Sequence, residues 1–327
     1  MESIVHQPKR KLRISSNRDI GILIATILVG VFFSVLAPNY FSSYTFFTLL
    51  RQTAELGIVA MAMTILIVSG EFDLTVGAVY AVVGVAIGIL FKQFGIDLWL
   101  AAIMGLLIAI SFGYINGVLI TKTGMNSFIG TLALMMVYRG IAMMSTGGSP
   151  VTSFPKVTFF EIAGRAKLFG VVPIPILWLT LIGVVLYILL HRTEFGVKAF
   201  ATGDNKEAAR LSGIDTDKVK IRCFMLTAAC AGIAAIISLG YLRTATPSQG
   251  NGMELEAIAA AVIGGTAMTG GVGSIIGTFM GALIMAQVRV GLVLMGTDAY
   301  IQEAFVGLVI AVAVILNIYI SKKRLTE

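Results

Sequence analysis

The sequence predicts an all-α integral membrane protein of about ten helical spans, with both termini on the cytoplasmic side. Three observations carry that reading: composition, the recurrence of apolar runs, and the placement of basic residues. Of the 327 residues, 57% are hydrophobic and only 13% charged, and mean hydropathy is +0.93. Soluble domains run at about 45–50% apolar and about 25% charged residues. Charge at half the usual density cannot cover a chain of this size with a hydrated surface. Lipid is the solvent that suits it.

A helical span needs about 20 predominantly apolar residues. Runs of that kind fall at 20–37, 53–69, 74–91, 98–120, 128–145, 172–190, 223–242, 255–268, 272–289 and 301–320. They define a single transmembrane domain over 20–320, preceded by a basic tail at 1–19 and followed by a second tail at 321–327. The first run ends in Val35-Leu36-Ala37, which resembles a signal-peptide cleavage site. Its apolar stretch of about 18 residues exceeds the usual signal core of about 7–15, so it reads as a retained anchor.

Charge then sets the orientation. With the N-terminus inside, the cytoplasmic segments collect Lys9, Arg10, Lys11, Arg13, Arg18 and Lys122. The 191–222 loop adds Arg192, Lys198, Lys206, Arg210, Lys218, Lys220 and Arg222, and the C-terminal tail adds Lys322, Lys323 and Arg324. These are sixteen of the 24 basic residues, against six on the other side (Arg51, Lys92, Lys156, Arg165, Lys167, Arg243). The imbalance follows the positive-inside rule, and an odd span count would strand the basic C-terminus outside. The net charge of +7 therefore reports topology and headgroup contact, not nucleic-acid binding. Cys223 and Cys230 would stand about 10 Å apart along one helix, too far to bridge.

Three motifs interrupt the apolar pattern. The first is Ser69-Gly-Glu71-Phe-Asp73-Leu-Thr-Val-Gly77. Carboxylates are costly at bilayer depth, so Glu71 and Asp73 belong to an interface, a water-filled cavity or a partner group, or simply to a polar turn between spans. The second runs from Gly264 through Thr266 to Ala282, with Gly273, Gly277 and Gly281 four apart on one helix face for close packing. It lacks the lysine and hydroxyl of a phosphate-binding loop, and no such loop occurs in the chain. Stretches 69–77 and 269–277 align at an offset of 200, a faint sign of an internal parallel repeat.

The third motif is the basic loop from Thr193 to Ile214. Asp204 followed by Glu207 resembles a capping box, and Gly213 is a suitable stop. Between them a two-turn helix would project from the membrane; helices so short are marginal alone, so it needs a partner surface. A second long loop, 146–171, mixes charged and apolar residues on the outer side and serves either as a docking surface or as a connector.

Taken in order, these motifs resemble the permease subunits of bacterial ABC importers of the ribose-type monosaccharide family, which have a similar SGGIDLSVG segment, an AIGGNxxAAxxSGI loop and a GGxGSxxGTxxGA segment. The likeness extends over nearly the whole chain, including Ala37-Pro-Asn-Tyr-Phe41 and Ile115-Asn116-Gly117. Glu71 stands where the family more usually has glycine, and Asp204 where the loop has its second glycine. The resemblance implies a pore subunit of the cytoplasmic (inner) membrane that does no covalent chemistry and binds no cofactor, with ATP and Mg held by a separate P-loop ATPase subunit. It also implies a periplasmic or extracellular sugar-binding protein and a second permease chain, identical or not. ATPase coupling would fall to Gly203, Asp204, Glu207, Ala208, Ala209, Arg210 and Gly213.

Ser69, Glu71, Asp73, Asn116 and Thr266 are the candidate pathway residues, and Arg139, Gln52, Glu55, Gln287 and Glu303 are further polar groups in or beside spans. An ion-coupled secondary transporter is the alternative. It would need carboxylates or histidines near the midplane, whereas His6 and His191 fall outside the spans. A membrane-embedded enzyme is disfavoured, since neither H-E-x-x-H nor G-x-S-x-G occurs.

Overall fold

The computed structural model of the chain describes residues 16–326. The helices are α1 (Ser16–Leu36), α2 (Ser43–Val68), α3 (Val76–Phe94), α4 (Leu98–Thr123), α5 (Ser127–Thr146), the single turn α6 (Thr158–Phe160) that runs into a π-helical turn at Glu161–Arg165, and α7 (Ile174–Arg192). They continue as α8 (Glu194–Asp204), α9 (Lys206–Leu211), α10 (Thr216–Leu242), α11 (Met253–Ile263), α12 (Ile275–Leu294) and α13 (Ala299–Thr326). The segment before α7 contains a two-residue antiparallel hairpin, β1 (Lys167–Leu168) on β2 (Val172–Pro173), with Leu168 opposite Val172.

Helix ends are set by local chemistry. The first amides of a helix have no internal partner, and hydrocarbon offers no water to replace one. Ser42, Asp97, Asn126, Asp215 and Ser274 accept from those amides at the starts of α2, α4, α5, α10 and α12. Left-handed glycines at 95, 124 and 147 close α3, α4 and α5.

Helix α2 is the axis of the bundle. Every residue from Leu56 to Val68 is buried, and α7, α10, α11 and α12 pack around it. Helix α10 lies along α4 and α3, while α1 lies on α12, where Phe33 fills the space beside Gly291. Cys223 and Cys230 are buried and unbridged.

Among the described residues, seven helices are long and apolar enough to cross a membrane: α2, α3, α4, α5, α7, α10 and α12. Shorter apolar stretches occupy Ile20–Leu36 of α1 and Tyr300–Val312 of α13. The expected eighth span, 255–268, is corrected. The helix there is α11, eleven residues that begin before it and stop at Ile263, and a non-helical turn follows from Gly264 to Ser274. The sequence-based count of ten is therefore not reproduced. The N-terminal tail at 1–19 falls almost wholly outside the described residues, whereas α13 runs on as helix through the tail expected from 321.

What takes the place of a full eighth span is a turn-rich, non-helical segment. After α10 the chain pairs Ala245 with Val151 and then runs along the glycine face of α3, with Ala245 beside Gly84 and Gly250 against Gly77. Seven helical residues cover about 10 Å, so the segment travels that far into the bundle before α11 begins. Irregular backbone at such depth is tolerated where protein satisfies it. Arg139 does so in part, donating to the carbonyls of Pro247 at 3.0 Å and Gln249 at 2.8 Å.

Candidate functional site

The three sequence motifs meet at Gly203. Near the end of α8, this residue lies so close to the turn after α2 and the turn before α12 that an added Cβ would sit 1.8 Å from the Val68 carbonyl oxygen and 2.9 Å from the Gly271 nitrogen. The two turns are themselves joined, because Gly271 N–H donates to the Val68 carbonyl at 3.0 Å. Gly70 and Gly270 also face Gly203, and Gly271 faces Asp204. The helical hairpin α8–α9 thus rests directly on the stretches 69–77 and 269–277 that align in sequence.

Helix α9 differs from the helix expected between Asp204 and Gly213. Asp204 closes α8 and caps nothing; the N-cap of α9 is Asn205, whose Oδ1 accepts from Ala208 N–H at 3.0 Å. Both are short Asx residues, and the capping role falls to the one with extended backbone. The stop at Gly213 is as expected: its φ of +84° is left-handed, and the Ile214 amide turns back to the Ala209 carbonyl at 3.0 Å. Arg210 folds onto the protein, donating to Thr216 Oγ1 at 3.0 Å and Asp217 Oδ1 at 2.9 Å. Ala209 is buried, whereas Glu207, Ala208 and Leu211 point outward, Leu211 being 90% exposed. Sequence reasoning passed over Leu211, although an apolar residue in a basic hydrophilic loop is a usable signal.

Beneath the hairpin the first motif is fixed by its neighbours. Glu71 forms an ion pair with Lys220 of α10, and both side chains are largely buried. Phe72 N–H donates to Ser127 Oγ and Leu74 N–H to Thr131 Oγ1. Asp73 is fully buried and accepts from Thr75 N–H at 2.8 Å and Thr75 Oγ1 at 2.7 Å. Asn116 Nδ2 donates to Thr75 Oγ1 at 2.8 Å, and Tyr138 O–H donates to Asn116 Oδ1 at 2.8 Å. Burial raises the Asp73 pKa above its ordinary value, and the hydrogen bonds from Thr75 and Asn116 act against that rise. At the solvent face, hydrogen bonding from Lys218 lowers the pKa of Asp215.

The expected pathway residues divide accordingly. Ser69, Asp73, Asn116 and Thr266 are buried within the packing, and Ser69 Oγ donates to the Leu66 carbonyl. Glu71 lines a cavity. Lys220, its partner, was legible only as one more basic residue of the loop. In the second motif, Gly277 and Gly281 bring α12 against the carbonyls of Gly264 and Ala260. Gly273 does not belong to that helix face: it precedes the cap Ser274 and packs on Val68 and Thr64 of α2. Among the described residues no cluster of His, Cys, Asp or Glu is arranged to hold a metal ion.

Comparison with known proteins identifies the family of the chain. Residues 45–314 match the family model described as branched-chain amino acid transport system / permease component. The chain is 39% identical over 298 residues to the ribose import permease protein of Bacillus subtilis (strain 168), covering 91% of each chain. It is 36% identical over 300 residues to the ribose import permease protein of Escherichia coli (strain K12), covering 90% of this chain and 92% of that one. The autoinducer 2 import system permease protein of Yersinia enterocolitica is 31% identical over 297 residues, 91% of this chain and 81% of its own. No solved structure matches.

Proposed function

The chain belongs to the family of branched-chain amino acid transport system permease components, with ribose import permeases among its relatives, and from that premise we propose that it is the membrane-spanning subunit of an ATP-driven importer for a monosaccharide or sugar-like solute. The end of the bundle that carries α8 and α9 is then cytoplasmic, in a chain of the bacterial inner membrane. A separate P-loop ATPase binds ATP and Mg and receives α9 in a groove. A binding protein delivers solute to the opposite end, and a second permease chain completes the pore.

The observation that carries this reading is the seat of α8–α9 on both turns at Gly203. A displacement of α9 by a closing ATPase would be passed to the starts of α3 and α12 together, because a packed interface shifts between discrete arrangements and does not deform continuously. The two turns would correspond as an internal repeat, each joining spans of opposite direction. Solute selection falls mainly to the binding protein.

The test is uptake of radiolabelled ribose by cells producing the chain with its ATPase and binding protein. Uptake that stops on ATP depletion, yet survives a protonophore while ATP is maintained, is the expected result. Uptake that follows the ion gradient with ATP held constant would overturn the proposal in favour of a secondary transporter.

A further inference from the structure

The two tryptophans of the chain, Trp99 and Trp178, line one cleft. Trp99 is the second residue of α4 and Trp178 the fifth of α7, and α7 leads away from there into α8. The cleft therefore lies at the end of the bundle opposite α8–α9. Helix α10 and the π-helical turn complete its walls through Ile233, Ile236, Ile237, Ile162 and Ala163. Its volume is about 220 Å³ and its walls are almost wholly apolar. Trp178 Nε1 already donates to the Ile162 carbonyl at 3.1 Å. Such walls give a hydroxyl-rich solute almost nothing to bond.

We propose that this cleft holds an acyl chain of one anionic phospholipid, with the phosphate of that lipid at Arg165 and Lys167. The floor is buried protein (Ala102, Phe159, Ala163, Ile237), whereas Trp99, Ile103 and Ile162 at the rim are exposed. The rim continues into exposed Leu100 and Leu107 of α4 and Leu181 of α7. These belong to the apolar surface that two spanning helices present to lipid, so lipid is what covers the opening. Tryptophan favours the headgroup level, and the seven residues from Trp99 to Leu106 carry the walls about 10 Å below it.

Charge selects the headgroup. The turn that supplies Ile162 and Ala163 ends in Arg165, and Lys167 follows on β1; both are exposed. The 146–171 loop carries Lys156, Arg165 and Lys167 against Glu161 alone. Glu161 stands 4.0 Å from Arg165 in an exposed pair, too loose to occupy the guanidinium. Asp97, two residues before Trp99, is engaged as the cap of α4. A guanidinium presents a fork of donors that suits phosphate oxygens. Beside Lys167, Phe169 at the hairpin tip is 97% exposed, an aromatic and basic pairing suited to the headgroup layer. A lipid seated there ties α4 to α7 and sets the 146–171 loop against the headgroups.

Since both tryptophans line the cleft, intrinsic fluorescence reports on it directly. The full chain is placed in phosphatidylcholine nanodiscs with rising fractions of phosphatidylglycerol brominated on its acyl chains, or of equally brominated phosphatidylcholine. Brominated phosphatidylglycerol should reach half-quenching at about a fivefold lower mole fraction, the attraction of one basic group for an anionic lipid. Arg165→Gln combined with Lys167→Gln, both at exposed positions, should bring the two lipids to the same fraction. Trp99→Phe keeps an aromatic ring against Phe159 and leaves half-buried Trp178 as the reporter, where the preference should persist.

Equal quenching of the native chain by both lipids, or a preference that survives loss of both basic groups, would overturn the proposal. Tryptophans that neither lipid quenches would overturn it too, since the cleft would then be covered by protein such as a second copy of the chain. Melting curves report whether each variant is folded, and the comparison of the two lipids on the native chain decides the matter if a variant is not.

Discussion

Gly203→Ala is the smallest change that addresses the meeting point of the three motifs. The new Cβ would sit 1.8 Å from the Val68 carbonyl oxygen, where favourable contact begins near 3.5 Å, so about 1.7 Å of separation is required. Neither neighbour can turn aside, because the Val68 oxygen and the Gly271 nitrogen are backbone atoms already bonded to each other. Overpacking of this kind costs about 1–3 kcal/mol. Breaking the Gly271–Val68 bond adds about 0.5–1.5 kcal/mol, and the better helix propensity of alanine returns at most about 1 kcal/mol. The net loss of about 0.5–4.5 kcal/mol should lower the melting temperature in detergent, at about 2–4 °C per kcal/mol. Solute uptake should fall with it. Gly140→Ala, on α5 with open space around that position, is the control and should be neutral or stabilising by up to about 1 kcal/mol. A Gly203→Ala chain with native melting and native uptake would refute the reasoning.

Other perturbations read the neighbouring contacts. Tyr138→Phe removes the donor to Asn116 Oδ1 and should cost about 1–3 kcal/mol in a thermal melt, with no change in expression topology. Glu71→Gln leaves the buried Lys220 ammonium without its counterion and should cost about 3–5 kcal/mol. Combining it with Lys220→Met should recover part of that loss, and a double variant no more stable than the single would contradict the pairing. Asn205→Ala should cost α9 about 0.5–2 kcal/mol of cap energy, seen as faster amide hydrogen exchange confined to 206–211, while Asp204→Ala should leave that exchange unchanged.

Much of this was legible before any coordinates. Apolar runs located α2, α3, α4, α5, α7, α10 and α12, because spanning helices must satisfy their own backbone and so must be long and apolar. The same argument misled at 255–268. Hydropathy records which side chains tolerate lipid, not whether the backbone is helical, and Ala257–Ile263 merges without a break into the apolar glycine-rich turn that follows. The turn-rich stretch before α11 left only indirect traces in Pro247, Gly250 and Gly252, while the groove that receives it is cut by Gly77 and Gly84 on α3. Those glycines are far away in sequence, and nothing local connects the two sets.

The candidate site was legible as motifs but not as contacts. Glu71 and Asp73 stand two apart, yet one pairs with Lys220 and the other sinks among Thr75 and Asn116. Partners 149 and 43 residues away in the chain cannot be chosen from spacing alone. The choice between Asp204 and Asn205 as cap turned on backbone conformation, and the choice between Ala209 and Leu211 as the outward residue turned on how α9 lies against α10.

The most direct measurement of the central claim, that α9 is the seat of an ATPase, is purification of the chain from native membranes in mild detergent, with co-purifying proteins identified by mass spectrometry. Leu211→Glu is the matched variant, since that side chain is 90% exposed and its replacement should leave the fold intact. A P-loop ATPase that accompanies the native chain and is lost from the equally stable Leu211→Glu chain is the expected result. Retention of the ATPase by the variant, or a native chain that purifies alone and moves solute on an ion gradient, would contradict the account.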